Sequence, residues 1–551
     1  MRSYFPQIVK SSQRIQLLFL MLLAMLLFTW GIGSYPFTDG DATFYGQIAK
    51  NMLEYGDWIT LRFDHFDADY FVDKPPLTMW TMAGMFKLFG YTEFAGRIWH
   101  SLLAVLTVLL TYLLGLRLFK HQVSLLAGFI LTTSLQFFYQ AREPLQDIPI
   151  VFCVVLAFYL FIRFIQQKQF RYYYLLCAVL GIAVMIKGPV GVILPGIVMF
   201  FTLLFSKGFR NFTVKEYSVH LPLGAGLFLL ICLPWHVAEY LKEGSQFFEF
   251  YFGQRTFSRY FTGAFFGSGI PAYLVYVILG FLPWTLFFFQ AIRQSWKRLF
   301  FLGEADYQYP YLFLVVWMAV TFIFFAISPG NIFMRYMLPL YPAAALLTAK
   351  YLYDHINLPQ TTPGIIAAVI GILLSITAIV FNVFSDSLLN PTTIAQDRIY
   401  VSILSPFLLS FATAMLVCAY HLLKKNNKTS IYLLIFFISI SYLVFTNNLR
   451  QNIHKALPQK QIAAFINQNY PSDVQITKYM PGSSGLTMLS FYLKPYLKPT
   501  RTEAELQEFL NANDKALVIV EDKNNISGKL RGSLQMVNSF NNWGVYQVPL
   551  R

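Results

Sequence analysis

Six short clusters of ionisable residues interrupt an otherwise apolar sequence. They are Asp39-Gly-Asp41-Ala-Thr-Phe-Tyr45, Tyr70-Phe-Val-Asp73-Lys74-Pro75-Pro76, Arg142-Glu143-Pro-Leu-Gln-Asp147, Lys187-Gly188-Pro189, Arg255 with Arg259-Tyr260, and Asn331 with Arg335-Tyr336. Charges at a membrane edge are costly and are kept mostly where they do chemistry. Cationic side chains hold phosphate oxygens through charge-assisted hydrogen bonds, and a carboxylate accepts a proton. Acids and bases together therefore suit a phosphate-bearing lipid. Arg255 and Arg259 stand four residues apart, which on a helix places two like charges on one face, an arrangement relieved by a bound anion. Plainer roles compete. Asp41 could cap a helix, Lys74 could anchor at the headgroups and Lys187 could snorkel, and Arg142 could pair with Asp147. His236 has no second His at ligand spacing and reads as a satisfied interface residue.

The elements that must position these clusters are membrane helices. The chain has 551 residues, 56% hydrophobic and only 13% charged. A soluble domain carries about 25% charged residues, so a soluble enzyme, a disordered chain and a fibrous one are excluded. Apolar runs long enough to cross about 30 Å of hydrocarbon fall near 15–35, 99–119, 123–141, 148–165, 172–186, 188–206, 219–239, 270–290, 309–327, 336–353, 363–385, 401–422 and 430–447. They predict a polytopic α-helical protein of about 13 transmembrane helices. Arg2, Lys10 and Arg14 precede the first run and place the N-terminus in the cytoplasm. Alternation then puts about 18 Lys and Arg in cytoplasmic segments against about 7 in short outer loops, as the positive-inside rule demands. The net charge of +15 (42 basic against 27 acidic residues) thus reads as topology rather than nucleic-acid binding. All six ionisable clusters fall on the outer side. Cys153, Cys177, Cys232 and Cys418 sit in apolar runs and imply neither a disulfide framework nor a metal site.

Two polar pieces remain, both expected outside. The loop 36–98 carries nine acids, with helical periodicity at 43–55 and 77–90 that predicts amphipathic helices on the membrane surface. The tail 448–551, beyond a membrane module of 1–447, reads as a small α/β domain. Its expected elements are helices at 459–468 and 502–511 and strands at 474–479, 516–521 and 543–548. An outer face offers no ATP and no nucleotide sugars, so an enzyme there depends on an activated substrate delivered by the membrane.

The order Asp41…Tyr45, Lys74-Pro75-Pro76…Trp80, Arg142…Asp147, Lys187-Gly188-Pro189, Leu233-Pro234-Trp235, Arg259-Tyr260, Leu282-Pro283-Trp284 and Arg335-Tyr336…Pro339…Pro342 resembles the membrane glycosyltransferases of the GT-C type. Within them it is similar to the 4-amino-4-deoxy-L-arabinose lipid A transferases and the protein O-mannosyltransferases, over roughly residues 35–345. The resemblance implies a GT-C fold, a polyprenyl-phosphate-linked (undecaprenyl phosphate) sugar donor and transfer with inversion. Low charge and the outside tail give a bacterial-type inner membrane or an endoplasmic reticulum membrane as the address, and the short basic loops favour the bacterial inner membrane. It implies catalytic roles for Asp41 and Asp147. Lys74, Arg259, Tyr336, Arg335 and Arg142 would bind the donor phosphate, with Tyr45, Asp39, Lys187 and Arg255 in support. Departures leave the sugar open. The family's Asp-Glu-x-Arg-Tyr is here Asp41-Ala-Thr-Phe-Tyr45, and its Glu-His pair is here Arg255-Thr256. Loss of that pair means that no metal is predicted from the motif, while a divalent ion stays open. The acceptor expected is lipid A or another envelope glycan, with a secreted protein as the alternative. A transporter or flippase of lipid-linked sugars is a rival from another class. Against it, the charges gather at one face rather than along a path through the midplane.

Overall fold

The computed structural model describes residues 11–63, 74–206, 218–258, 269–301, 305–327, 332–358, 361–388, 394–479, 489–494, 497–513, 515–521, 534–540 and 543–548. The chain enters through α1 (Ser11–Thr29), then forms α2 (Gly40–Tyr55) and α3 (Leu77–Phe89) in the first long loop. The bundle continues with α4 (Glu93–Leu118), α5 (His121–Thr132), α6 (Leu135–Gln140), α7 (Asp147–Gln167), α8 (Phe170–Lys187), α9 (Val190–Phe205) and α10 (His220–Glu243). A short helical stretch, 245–258, ends in a π-helix. Then come α11 (Gly269–Gly280), α12 (Thr285–Phe301), α13 (Ala305–Ala326), a 3-10 segment Met334–Leu340, α14 (Tyr341–Asp354), α15 (Thr361–Leu388), α16 (Ile394–Leu423) and α17 (Asn427–Ala456).

This is a multi-pass membrane protein. Among the described residues nine helices are long and apolar enough to cross a membrane, or ten counting α11 and α12 as one span bent by 114°. The α5 and α9 helices are shorter apolar ones. The Lys187-Gly188-Pro189 corner separates α8 from α9. Gly188 adopts φ +67°, which a residue with a Cβ resists, and Pro189 precedes the new helix.

The run expected at 123–141 is broken rather than continuous. Ser134 interrupts it, and the groups at the break find partners on α17 and on the turn between α11 and α12. The Tyr442 hydroxyl donates to the Thr133 carbonyl at 2.9 Å, the Trp284 indole donates to the Thr133 hydroxyl at 2.9 Å, and the Leu135 amide donates to Leu282 O at 3.0 Å. Within hydrocarbon a helix break survives only when its backbone groups are satisfied in this way.

The α2 helix follows from its sequence. Asp39 caps it by accepting from the Asp41 amide at 2.8 Å, and Gly56 ends it at φ +74°. Tyr45, Ile48, Ala49 and Met52 recur at helical spacing and are buried. They form one core with Phe37, Met79, Met82, Phe86 and, from far along the chain, Phe491.

The C-terminal domain adds α18 (Gln459–Asn469), β1 (Gln475–Tyr479), β2 (Leu497–Thr500), α19 (Glu503–Ala512), β3 (Ala516–Val520), β4 (Gln535–Phe540) and β5 (Trp543–Gln547). Its five strands run in the order β2-β1-β3-β5-β4, with β1 parallel to β2 and β3, and β5 antiparallel to β3 and β4. The expected strands at 474–479, 516–521 and 543–548 are present; β2 and β4 complete the sheet.

Candidate active site

Three chain segments meet on one guanidinium. Arg335, in the 3-10 segment before α14, pairs through Nη1 with Asp39 Oδ2 at 3.0 Å and through Nη2 with Asp41 Oδ2 at 2.7 Å. Its Nε faces Asp147 Oδ2, on the first turn of α7, at 3.6 Å. Lys187, the last residue of α8, donates to Asp147 Oδ1 at 2.6 Å. Its ammonium also lies 4.9 Å from the centroid of the Tyr336 ring. Four of the six clusters thus converge: Asp39/Asp41, Asp147, Lys187 and Arg335/Tyr336. Lys74 from a fifth donates to the Tyr45 hydroxyl, one turn beyond Asp41 on α2.

Exposure separates the acids. The side chain of Asp41 is 37% exposed, Asp39 25% and Asp147 6%. Asp41 is therefore the carboxylate a substrate can reach, whereas Asp147 is held between two cations. Burial pushes the Asp39 carboxyl above its ordinary range, against the pull of Arg335. The cap role considered for Asp41 belongs to Asp39, which leaves the Asp41 carboxylate to Arg335 and the open side. Among the described residues no group of three His, Cys, Asp or Glu is placed to hold a metal ion.

Two expectations change. Arg335 spends its guanidinium on carboxylates, so it organises acids rather than presenting itself to a phosphate. Arg142, expected at the donor phosphate, is 3% exposed and donates to Leu27 O at 2.7 Å and Trp30 O at 2.8 Å. It does not pair with Asp147. It staples the end of α1, because a buried guanidinium must find acceptors and those carbonyls at the end of α1 lack helical partners. Arg97, on α4, does the same and carried no sequence motif. It is fully buried, donates to Ile32 O, Tyr35 O and Pro36 O at 2.7–2.8 Å, and lies over the Tyr35 ring. Together the two arginines fix the connection that leads into Asp39. Arg97→Met leaves those carbonyls unpaired, at about 1–3 kcal/mol each. The expected outcome is a clear fall in the thermal unfolding midpoint in detergent; an unchanged midpoint would refute the staple. Between the arginines, Glu143 accepts from the Thr38 hydroxyl at 2.8 Å, and burial pushes its carboxyl above the ordinary range. The Arg259-Tyr260 pair, Asn331 and Asp73 lie outside the described residues. Arg255 falls in the π-helix, but its side chain is outside them too.

An apolar groove of about 670 Å³ takes in residues on both sides of the α8–α9 corner. It is lined by Val184 and Pro189, which flank Lys187 in sequence, by Cys232, Leu233 and His236 of α10, and by Phe247, Phe248 and Phe252. His236 is satisfied by the Cys232 carbonyl at 2.7 Å. Trp235, beside it, donates to Ile59 O, tying α10 to the first loop.

Residues 73–237 match the family described as dolichyl-phosphate-mannose-protein mannosyltransferase. The chain is 28% identical over 350 residues to an undecaprenyl phosphate-alpha-4-amino-4-deoxy-L-arabinose arabinosyl transferase of Proteus mirabilis, covering 62% of this chain and 60% of that protein. It is 29% identical over 336 residues to an uncharacterised protein of Aquifex aeolicus, covering 61% and 63%. The alignments thus span about three-fifths of these relatives. The crystal structure of ArnT from Cupriavidus metallidurans bound to undecaprenyl phosphate superposes with a TM-score of 0.79 at 20% identity, over 98% of both chains. The apo oligosaccharyltransferase of Archaeoglobus fulgidus gives 0.56 at 14%, over 94% of this chain and 70% of that one. The chain therefore has the GT-C glycosyltransferase fold and is related to the aminoarabinose transferases and the protein mannosyltransferases.

Proposed function

We propose that this protein transfers a sugar from a polyprenyl-phosphate donor to an envelope glycan, lipid A or lipopolysaccharide first, at the outer face of a bacterial inner membrane. The carrying observation is the fixed cluster of acids and bases around Arg335, with an apolar groove lined in part by Val184 and Pro189, on either side of Lys187 in the chain. In this reading the groove takes the isoprenoid chain, and Lys74, Lys187 and Tyr336 are the groups that hold its phosphate. The acceptor oxygen attacks the anomeric carbon, a new C–O bond forms, the bond to the phosphate oxygen breaks, and polyprenyl phosphate leaves. Cationic side chains stabilise the departing phosphate. Asp41 takes the proton of a hydroxyl acceptor; with an anionic phosphate acceptor it steadies the positive charge developing on the sugar. The basic short loops support a cytoplasmic N-terminus and a periplasmic C-terminal domain.

The relatives' names favour 4-amino-4-deoxy-L-arabinose as donor sugar, and the mannosyltransferase match over 73–237 keeps a protein acceptor as the second reading. Mass spectrometry of a deletion strain and its complemented counterpart decides. The expected outcome is a polyprenyl-phosphate sugar that accumulates in the deletion while lipid A or its core loses the same sugar mass. An unchanged glycan with a secreted protein losing a hexose would establish the second reading. No change in any extract rejects both.

A further inference from the structure

The C-terminal domain enters the core of the first loop through residues 489–494. Phe491 is buried, and it belongs to the loop's core rather than to the sheet's. Its ring centroid lies 5.1 Å from that of Phe37 and 5.6 Å from that of Phe86. On α2 it seats against Gly46, where an added Cβ would stand 3.2 Å from Phe491 Cδ2. Glycine inside a helix costs about 0.5–1 kcal/mol relative to Ala, so close approach of this ring is the reason for its presence. Gly46 adjoins Tyr45 and lies little more than a turn beyond Asp41. Two neighbours of Phe491 reinforce the seat. The Tyr492 hydroxyl accepts from the Phe37 amide at 3.0 Å. Lys50, buried on α2, donates to Leu493 O at 2.9 Å. Further out, Lys460 of α18 pairs with Glu93 at 2.8 Å.

We propose that Phe491 is a positioning residue for the transfer reaction, setting from the C-terminal domain where α2 holds Asp41 and Tyr45. This rests on Asp41 being the reacting carboxylate. Arg335 fixes the carboxylate itself; Phe491 fixes the helix that carries it. Small displacements of a catalytic group cost rate steeply, so loss of the ring acts on transfer while leaving the apolar groove and Lys187 in place.

The test uses full-length protein, with undecaprenyl phosphate as the binding probe and restoration of the sugar on the glycan of the deletion strain as the transfer readout. Phe491→Ala is expected to bind the probe within about twofold of wild type and to transfer about ten- to a hundredfold more slowly. Phe491→Leu, which refills most of the seat, is expected to recover most of the rate. Gly46→Ala, which pushes the same ring from the other side without opening a cavity, is expected to slow transfer with binding intact. Wild-type transfer by Phe491→Ala overturns the proposal. So does parallel loss of probe binding and transfer in all three variants, which would mark the ring as general scaffold. Asp41→Asn, measured alongside, separates the two layers: if it transfers normally the catalytic reading itself fails, and if it is inactive while Phe491→Ala is normal only the positioning role fails.

Discussion

Asp41→Asn is expected to reduce transfer by about 10²–10⁴-fold, the range associated with loss of a positioned general base, while the protein folds normally and still binds undecaprenyl phosphate. The substitution is nearly isosteric, and the amide oxygen can still accept from Arg335 Nη2, now 2.7 Å from Asp41 Oδ2. Arg335 also keeps Asp39 and Asp147 as counter-charges. What disappears is the most exposed carboxylate of the three, and with it both a proton acceptor and a negative charge beside the sugar. Asp147→Asn should behave differently. That side chain is nearly buried between Lys187 and Arg335. Arg335 keeps Asp39 and Asp41, but neutralisation takes from Lys187 the carboxylate it pairs with at 2.6 Å, and lowers stability together with rate. Glycan mass spectrometry in the complemented deletion strain, with probe binding and unfolding midpoints of the purified variants, separates these patterns. Normal transfer by Asp41→Asn would remove the catalytic assignment.

Much of this site was legible in the sequence because membrane chemistry is sparse. Where so few residues are charged, those at helix ends stand out, and alternation of spans puts Asp41, Asp147, Lys187 and Arg335 at one end of the bundle. The structure joins them within single hydrogen bonds. What the sequence could not reveal is which partner each charge takes. Arg142 and Arg335 look alike as isolated arginines beside acids. One is consumed by carbonyls of the α1–α2 connection and the other by three carboxylates, a distinction set by packing alone. Arg97 escaped notice because it lies on α4 outside any motif, and its carbonyl partners carry no side-chain signature. The break at Ser134 was hidden for a related reason: the residues are apolar enough for a continuous helix, and the groups that satisfy the break come from segments remote in the chain. In the C-terminal domain β2 contains a proline and is only four residues long, while β4 is largely solvent-facing, so neither shows the buried apolar run that announces β3. The role of Phe491 was equally invisible, since nothing in a lone Phe-Tyr-Leu names a distant helix as its partner.

Arg335→Ala is expected to cost about 3–5 kcal/mol of stability, because it removes one partner of a partly buried ionic group and leaves the other charges uncompensated. The guanidinium is only 13% exposed and serves Asp39, Asp41 and Asp147 from separate nitrogens. Arg335→Lys keeps the charge, but an ammonium is a single point with no planar fork. It can satisfy one carboxylate well and not three, so transfer should fall sharply while undecaprenyl phosphate binding changes little. The pH dependence carries the sign of the argument. Burial already raises the Asp39 carboxyl and Arg335 opposes that rise; without the guanidinium the carboxyl moves higher still. Above that raised value the variant must keep Asp39 charged without its partner, and the stability gap to wild type is widest. As pH falls through it Asp39 takes up a proton, the missing cation matters less, and the gap narrows. Asp39→Asn in the Arg335→Ala background should likewise recover part of the lost stability, a coupling that a double-mutant cycle reads directly. Unfolding midpoints of the four proteins across pH 5–8 test this. A gap that stays constant with pH, together with strict additivity, would mean that Arg335 supports the fold by packing and that the acids are held by something else.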